Sequence, residues 1–155
     1  MSKAFTREDD DGGATELPER IISSQPNLVT AEGLAAIDAE IDEHSRRQSE
    51  ANTADDRDAA ARAARELRYW TVRRANAQLV PPPADSDEVR FGSTVTIERD
   101  GGRRSTWRIV GEDEADPAKG TVSHVAPLAR VLLGKRVGDV VEAGATEAEI
   151  VSISV

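Results

Sequence analysis

The densest group of side chains able to do chemistry lies in Glu50-Ala51-Asn52-Thr53-Ala54-Asp55-Asp56-Arg57-Asp58. Asp55 and Asp56 stand side by side between two stretches of helical periodicity. Two carboxylates at a turn can share a hard cation through their oxygens and leave its other positions to water and phosphate. The same residue types suit the first turn of a helix, where carboxylates meet free amide groups and the positive end of the dipole. A second acidic run, Glu112-Asp113-Glu114-Ala115-Asp116, reads equally as a solvated turn or as a contact surface. Other chemistries are excluded by residue type. The chain has no cysteine, hence no thiolate zinc site and no cysteine nucleophile. Its two histidines, His44 and His124, are too few for a histidine-rich metal site. His124, alone in a strand pattern, reads as an ordinary satisfied side chain that could touch a partner.

Charge narrows the partner. Across 155 residues, 20 lysines and arginines face 29 aspartates and glutamates, a net charge of −9. A free nucleic-acid binder normally presents a basic face. This chain repels phosphate on average, so the expected partner is a protein, or a nucleic acid met only inside a larger assembly. No apolar run approaches the roughly 20 residues that span a bilayer. The opening residues MSKAFTREDDDGG lack the apolar centre of a secretory signal. The expectation is a cytoplasmic monomer with no membrane partner.

Three blocks must position the acidic groups. Residues 1–27 hold Asp9, Asp10, Asp11 and few patterned apolar positions, and read as an acidic flexible tail. Residues 28–79 read as an antiparallel helical hairpin, a coiled-coil arm. Thr30 is a good N-cap, and Leu34, Ile37 and Ile41 share one face before the pattern fades at His44. Ser49 to Thr53 is the expected turn, with Thr53 capping a second helix and Asp56 completing a capping box. That helix carries Ala60, Ala63, Leu67, Trp70 and Ala77 on one face. Of Tyr69 and Trp70, one is expected in the seam and the other towards the linker or second domain. Thr30–Glu50 holds two basic residues against six acidic ones, and Arg57–Gln78 six against two, so −4 faces +4. Opposite charge favours antiparallel pairing and should engage Arg62, Arg65, Arg68 and Arg73 against the first helix.

Residues 80–90, VPPPADSDEVR, read as a stiff proline-rich linker. Beyond them the period changes to two. Phe91–Ile97, Ser105–Val110, Thr121–Val125, Val137–Glu142 and Glu147–Val155 read as strands, with Asp100-Gly101-Gly102 as a hairpin turn. Pro127 opens a short helix that Gly134 ends. The fold class is therefore α+β: a helical hairpin followed by a small antiparallel sheet with one short helix.

Four stretches resemble the Gre family of bacterial transcription elongation factors. These are Leu28-Val29-Thr30-Ala31-Glu32-Gly33-Leu34; Phe91-Gly92-Ser93-Thr94-Val95; Arg108-Ile109-Val110-Gly111-Glu112-Asp113-Glu114-Ala115-Asp116-Pro117; and Pro127-Leu128-Ala129-Arg130 with Leu133-Gly134-Lys135 and Val137-Gly138-Asp139. The resemblance implies a coiled-coil arm followed, over 91–155, by an FKBP-like domain that binds RNA polymerase at the rim of its secondary channel. It implies a rim contact through Val125, Ala126, Pro127 and Leu128, with Asp113 and Asp116 beside them. It further implies that acids at the arm tip, here Asp55 and Asp56, help hold a magnesium ion shared with the polymerase, which then cuts its own stalled transcript. Nucleic acid would be met only within the elongation complex.

The chain departs from that family in three places. The first helix, about 21 residues, reaches only about 31 Å. The family's tip motif, an aspartate followed shortly by Glu-Asn, is absent as such. Ala126 stands where the family often has serine. A cleavage-incompetent regulator of the same channel is therefore the alternative. A prolyl isomerase, suggested by the FKBP-like fold alone, lacks an aromatic cage, since 91–155 offers only Phe91 and Trp107.

Overall fold

A computed structural model describes residues 17–155. The part of the expected acidic tail that spans residues 1–16 lies outside the described residues. The chain forms β1 (Asn27–Val29), α1 (Ala31–Thr53), α2 (Arg57–Asn76), β2 (Ala77–Leu79), β3 (Thr94–Arg99), β4 (Arg103–Val110), a 3₁₀ turn (Pro117–Lys119), β5 (Thr121–Ser123), α3 (Pro127–Leu132), β6 (Val140–Ala143) and β7 (Thr146–Ser154). The α+β class read from periodicity is the one observed.

The arm is built from local signals. Thr30 caps α1, its hydroxyl accepting from the Gly33 amide at 3.0 Å. Ile37 is 1% exposed and Ala63 5%, so small and branched residues fill the seam. His44, where the apolar pattern fades, is nevertheless buried there, its Nε2 3.2 Å from Glu40.

Three expectations for the arm need correction. The turn does not lie at Ser49–Thr53, and Thr53 does not cap α2. Helix α1 runs 23 residues through Thr53, whose hydroxyl instead donates back to the Ser49 carbonyl at 3.0 Å. The cap of α2 is Asp56, accepting from the Ala59 amide. The second helix also stops at Asn76, because Ala77–Leu79 pair in parallel with Asn27–Val29. Three-residue strands carry no period long enough to read in sequence. Parallel strands need a long crossover, and here the whole helical hairpin is that crossover.

The third correction concerns charge. Arg65, Arg68 and Arg73 do not engage α1. Arg65 donates to the Pro18 carbonyl at 2.6 Å, Arg68 pairs with Glu19, and Arg73 pairs with Asp113. Among the described residues the one ion pair between the two helices is Arg74–Asp38, at 2.6 Å. The acids of α1 are met within their own helix, where Arg46 reaches Glu43 and Glu50 and Arg47 reaches Glu43. Residues Pro18–Arg20 thus form a strap along α2, with the Arg20 guanidinium 3.6 Å above the Tyr69 ring.

The C-terminal sheet has the order β5-β4-β3-β7-β6. All its pairs are antiparallel except β4–β5, since the chain crosses back through the 3₁₀ turn before laying down β5. The strand expected from Phe91 begins at Thr94, because Gly92 takes a left-handed φ of 91° before it. Alternate residues Val95, Ile97, Ile109, Val141, Ala148 and Ile150 face inward and meet Ala129 and Leu132 of α3. Phe91 joins this core, and Trp107 packs half-buried against it. Val89, within the stretch read as linker, is 1% exposed and exchanges backbone hydrogen bonds with Gly134 and Lys135.

Candidate functional site

The tip of the arm is a helix C-terminus fused to a helix N-terminus. The Asp56 amide donates to the Ala51 carbonyl at 2.9 Å and the Asp55 amide to Asn52 at 3.2 Å. This is a Schellman closure, in which the residue at Asp55's place adopts the left-handed region and is usually glycine. Asp55 does so at φ 54°, the one non-glycine residue with positive φ among those described. Aspartate tolerates this region better than most residues, at a cost that remains unfavourable. Its side chain is exposed. Asp56 spends Oδ1 on the Ala59 amide at 3.0 Å, which leaves Oδ2 for other partners.

Whether this tip suits a magnesium ion follows from those donors. Among the described residues no three His, Cys, Asp or Glu side chains converge as metal ligands. The tip therefore does not form a resident site. It does fit one edge of an ion whose other ligands come from elsewhere, through Asp55 and the second oxygen of Asp56.

In the acidic loop at the opposite end, Glu112, Asp113 and Glu114 are not a solvated turn, whereas Asp116 keeps a side chain 45% exposed. The loop folds inward against the base of the arm. Arg73 of α2 is 2% exposed. Its Nε donates to Asp113 Oδ2 at 2.6 Å, one amino group donates to Asn27 Oδ1 at 2.7 Å, and Glu112 stands 3.5 Å away. Asn27 in turn donates to the Arg73 carbonyl at 2.8 Å. The Tyr69 hydroxyl donates to Asp113 Oδ1 at 2.5 Å, and burial first, then this bond, pushes the phenol up to about 12. Trp70, adjacent, lines a cavity of about 60 Å³ with Ala36 and Ile37 of α1 and with Gly111, Asp113 and Glu114, so Tyr69 faces the second domain while Trp70 meets both that domain and the seam.

Glu114 closes the same joint from the other side. Its carboxylate accepts from the Thr30 amide at 3.0 Å, from the Thr30 hydroxyl and from the Gly111 amide at 3.2 Å. A carboxylate is thereby seated at the positive end of α1. Gly33 makes the room: a Cβ there would overlap that carboxylate, and one at Gly111 would overlap the Leu28 carbonyl. His124 borders this region, with its ring edge-on to Phe91 at 5.6 Å and its buried Nε2 without a protein partner. Burial holds its pKa below the usual imidazole value, against the pull of nearby Glu112.

The sequence-selected residues therefore fall in three places. Asp55 and Asp56 stand at the tip, about 34 Å along α1 from its start at 1.5 Å per residue. Asp113, with a side chain only 12% exposed, belongs to the joint. Asp116 caps the 3₁₀ turn, accepting from Ala118 at 3.1 Å, and Val125, Ala126, Pro127 and Leu128 follow at the start of α3. Of these four, Pro127 is exposed and the other three are half-buried. Arg73, Asn27, Thr30, Gly33 and Glu114 were not singled out from sequence as a joint. A glycine inside the first turns of a helix was the available signal.

Comparison with known proteins adds to this geometry. Residues 84–155 match the family described as "Transcription elongation factor, GreA/GreB, C-term". The chain is 39% identical over 106 residues to the transcription elongation factor GreA of Maricaulis maris, which covers 59% of this chain and 68% of that protein. It is 53% identical over 57 residues to GreA of Rhodopseudomonas palustris, a stretch that spans only 36% of either chain. A solved structure of the GreA factor homolog 1 (Gfh1) protein of Thermus thermophilus is similar over 84% of this chain and 99% of that one, at 20% identity and a TM-score of 0.42.

Proposed function

The chain belongs to the GreA/GreB family of transcription elongation factors, and on that premise we propose that it binds bacterial RNA polymerase at the rim of the secondary channel and modulates elongation with its arm tip. The C-terminal domain makes the rim contact through exposed Pro127 and the partly exposed side chain of Asp116, with Val125, Ala126 and Leu128 shaping the surface beneath. Asp113, held by Arg73 and Tyr69, braces the loop beside that contact. The acidic chain needs no grip of its own on RNA, because the polymerase supplies it.

The observation that carries this reading is Asp55. A residue that would be more stable as glycine keeps a carboxylate at the far end of the arm, and retained backbone strain of this kind concentrates at functional sites. Asp55 and the second oxygen of Asp56 would complete the shell of a magnesium ion held by the polymerase. Such an ion, when bound, polarises phosphate and activates water. The protein is not itself the catalyst in this reading; the cutting groups are the polymerase's.

Purified protein added to stalled elongation complexes tests this directly. Shortened transcripts are expected, lost in the Asp55→Ala, Asp56→Ala double variant but with polymerase retention unchanged. Failure to retain polymerase in a pull-down would overturn the reading. One observation favours a second version, a channel regulator without cleavage: Asp56 commits one oxygen to its own helix, leaving the tip with fewer free ligands. Unshortened transcripts, together with competition against a cleavage-competent factor, would select that version.

A further inference from the structure

Resting on the reading above, we propose that Arg73 and Glu114 are positioning residues, which together fix the direction in which the arm leaves the C-terminal domain. Neither is near the tip. Each fastens a different helix to the same loop. Arg73 ties α2 to Asp113, and Glu114 ties the start of α1 to Gly111. One fastening would leave a swivel, whereas two on separate helices define an orientation. A third strand of chain, the stretch ending in Asn27, is drawn into the same joint through Arg73.

Burial separates Arg73 from the other arginines of α2. Arg68 and Arg74 make pairs with side chains about half exposed, whereas the Arg73 side chain is 2% exposed. A guanidinium offers a planar fork of donors, so one buried side chain can hold Asp113 and Asn27 in fixed directions. The lever is long. A rotation of about 5° at the base moves the end of a helix about 34 Å long by about 3 Å. At a reacting centre, an error of about 1 Å can cost on the order of a hundredfold in rate. The joint therefore sets where the tip carboxylates arrive.

Gly33 supplies a test of the second fastening without touching Glu114 itself. Gly33→Ala puts a methyl group where the Glu114 carboxylate sits, and the flexible carboxylate must leave the end of α1. The same change raises helix propensity. Arg73→Met removes the fork while keeping much of the volume. Because the chain has no cysteine, spin labels at Asn52→Cys on the tip and Glu147→Cys on the sheet report the arm's direction in the free protein. One narrow distance is expected for the parent, with a broadened distribution in both variants, and for Gly33→Ala a smaller fall in melting midpoint than for Arg73→Met, since the gain in helix propensity offsets part of the lost contacts. On stalled complexes each variant should lose about tenfold or more of the effect on transcripts, read at concentrations that saturate polymerase binding. Arg73→Lys, which keeps charge without the fork, should fall between parent and Arg73→Met.

Unchanged distances in both variants would overturn the proposal, as would broadened distances with a full effect on transcripts. If the parent protein fails to bind polymerase, the functional reading fails, and the label distances still decide whether these residues fix the arm.

Discussion

The two ends of the arm are built on opposite terms. At the base, the main charged groups are buried and paired: a guanidinium meets Asp113 and Asn27, and Glu114 meets the free amide of a helix start. At the tip, carboxylates stand in solvent, and one backbone torsion is held where glycine would be more comfortable. The base commits its charges to fixed partners. The tip keeps groups whose bonding capacity its own fold leaves partly unused. The proposed function makes use of that division, since rigidity at the root is what gives an exposed end a defined position.

The sharpest way to break this contrast is at the base. Arg73→Ala leaves Asp113 buried without its charge partner and should lower stability by about 3–5 kcal/mol in urea unfolding. The neighbouring Arg74→Ala removes a half-exposed pair with Asp38 and should cost under about 1 kcal/mol. Comparable losses from the two would show that burial at the joint counts for nothing. At the tip, Asp56→Ala removes the cap of α2 and should cost about 1 kcal/mol. Asp55→Gly should run the other way, raising stability by about 1 kcal/mol as the left-handed position is relieved. A destabilised Asp55→Gly protein would remove the sign that the tip keeps its carboxylate against the fold's preference.

Titration sharpens the contrast further. Tyr69 is the one tyrosine in the chain, so its ionisation can be followed by ultraviolet absorbance without overlap. Its folded pKa is raised to about 12, chiefly by burial. The unfolded phenol ionises near 10, so the folded state binds its proton more tightly. The stability this contributes is present below about pH 10 and is lost as pH rises through about 12. Asp113→Asn should move the absorbance midpoint back down. A smaller effect is expected from His124, whose pKa is lowered by burial. There the unfolded state binds the proton more readily, so stability falls as pH drops below about 6.5. His124→Gln should flatten that part of the profile.

Much of the fold was legible because its signals are local. Thr30 as cap, Ile37 in the seam, the paired glycines after Asp100, and Pro127 opening a helix all specify their neighbourhood within a few residues. The turn was misplaced because Asp55 occupies a position where glycine announces a helix end, and Thr53 offers a plausible cap that the structure does not use. The strands β1 and β2 were invisible because each has three residues and its partner lies 50 positions away. The joint was illegible for a related reason. Arg73, Asp113 and Glu114 look like ordinary surface charges until the chain folds back, and the pairing of Arg65 and Arg68 with the strap depends on a segment that carries no period of its own.

Because the entire hairpin is the crossover between β1 and β2, its length is independent of the register in which those strands pair. Seven residues added to each helix, about two turns, would lengthen the arm by about 10 Å and leave its root untouched. The molecule is in that sense an adjustable ruler: a graded series of such insertions would test whether the proposed function depends on the reach of the tip.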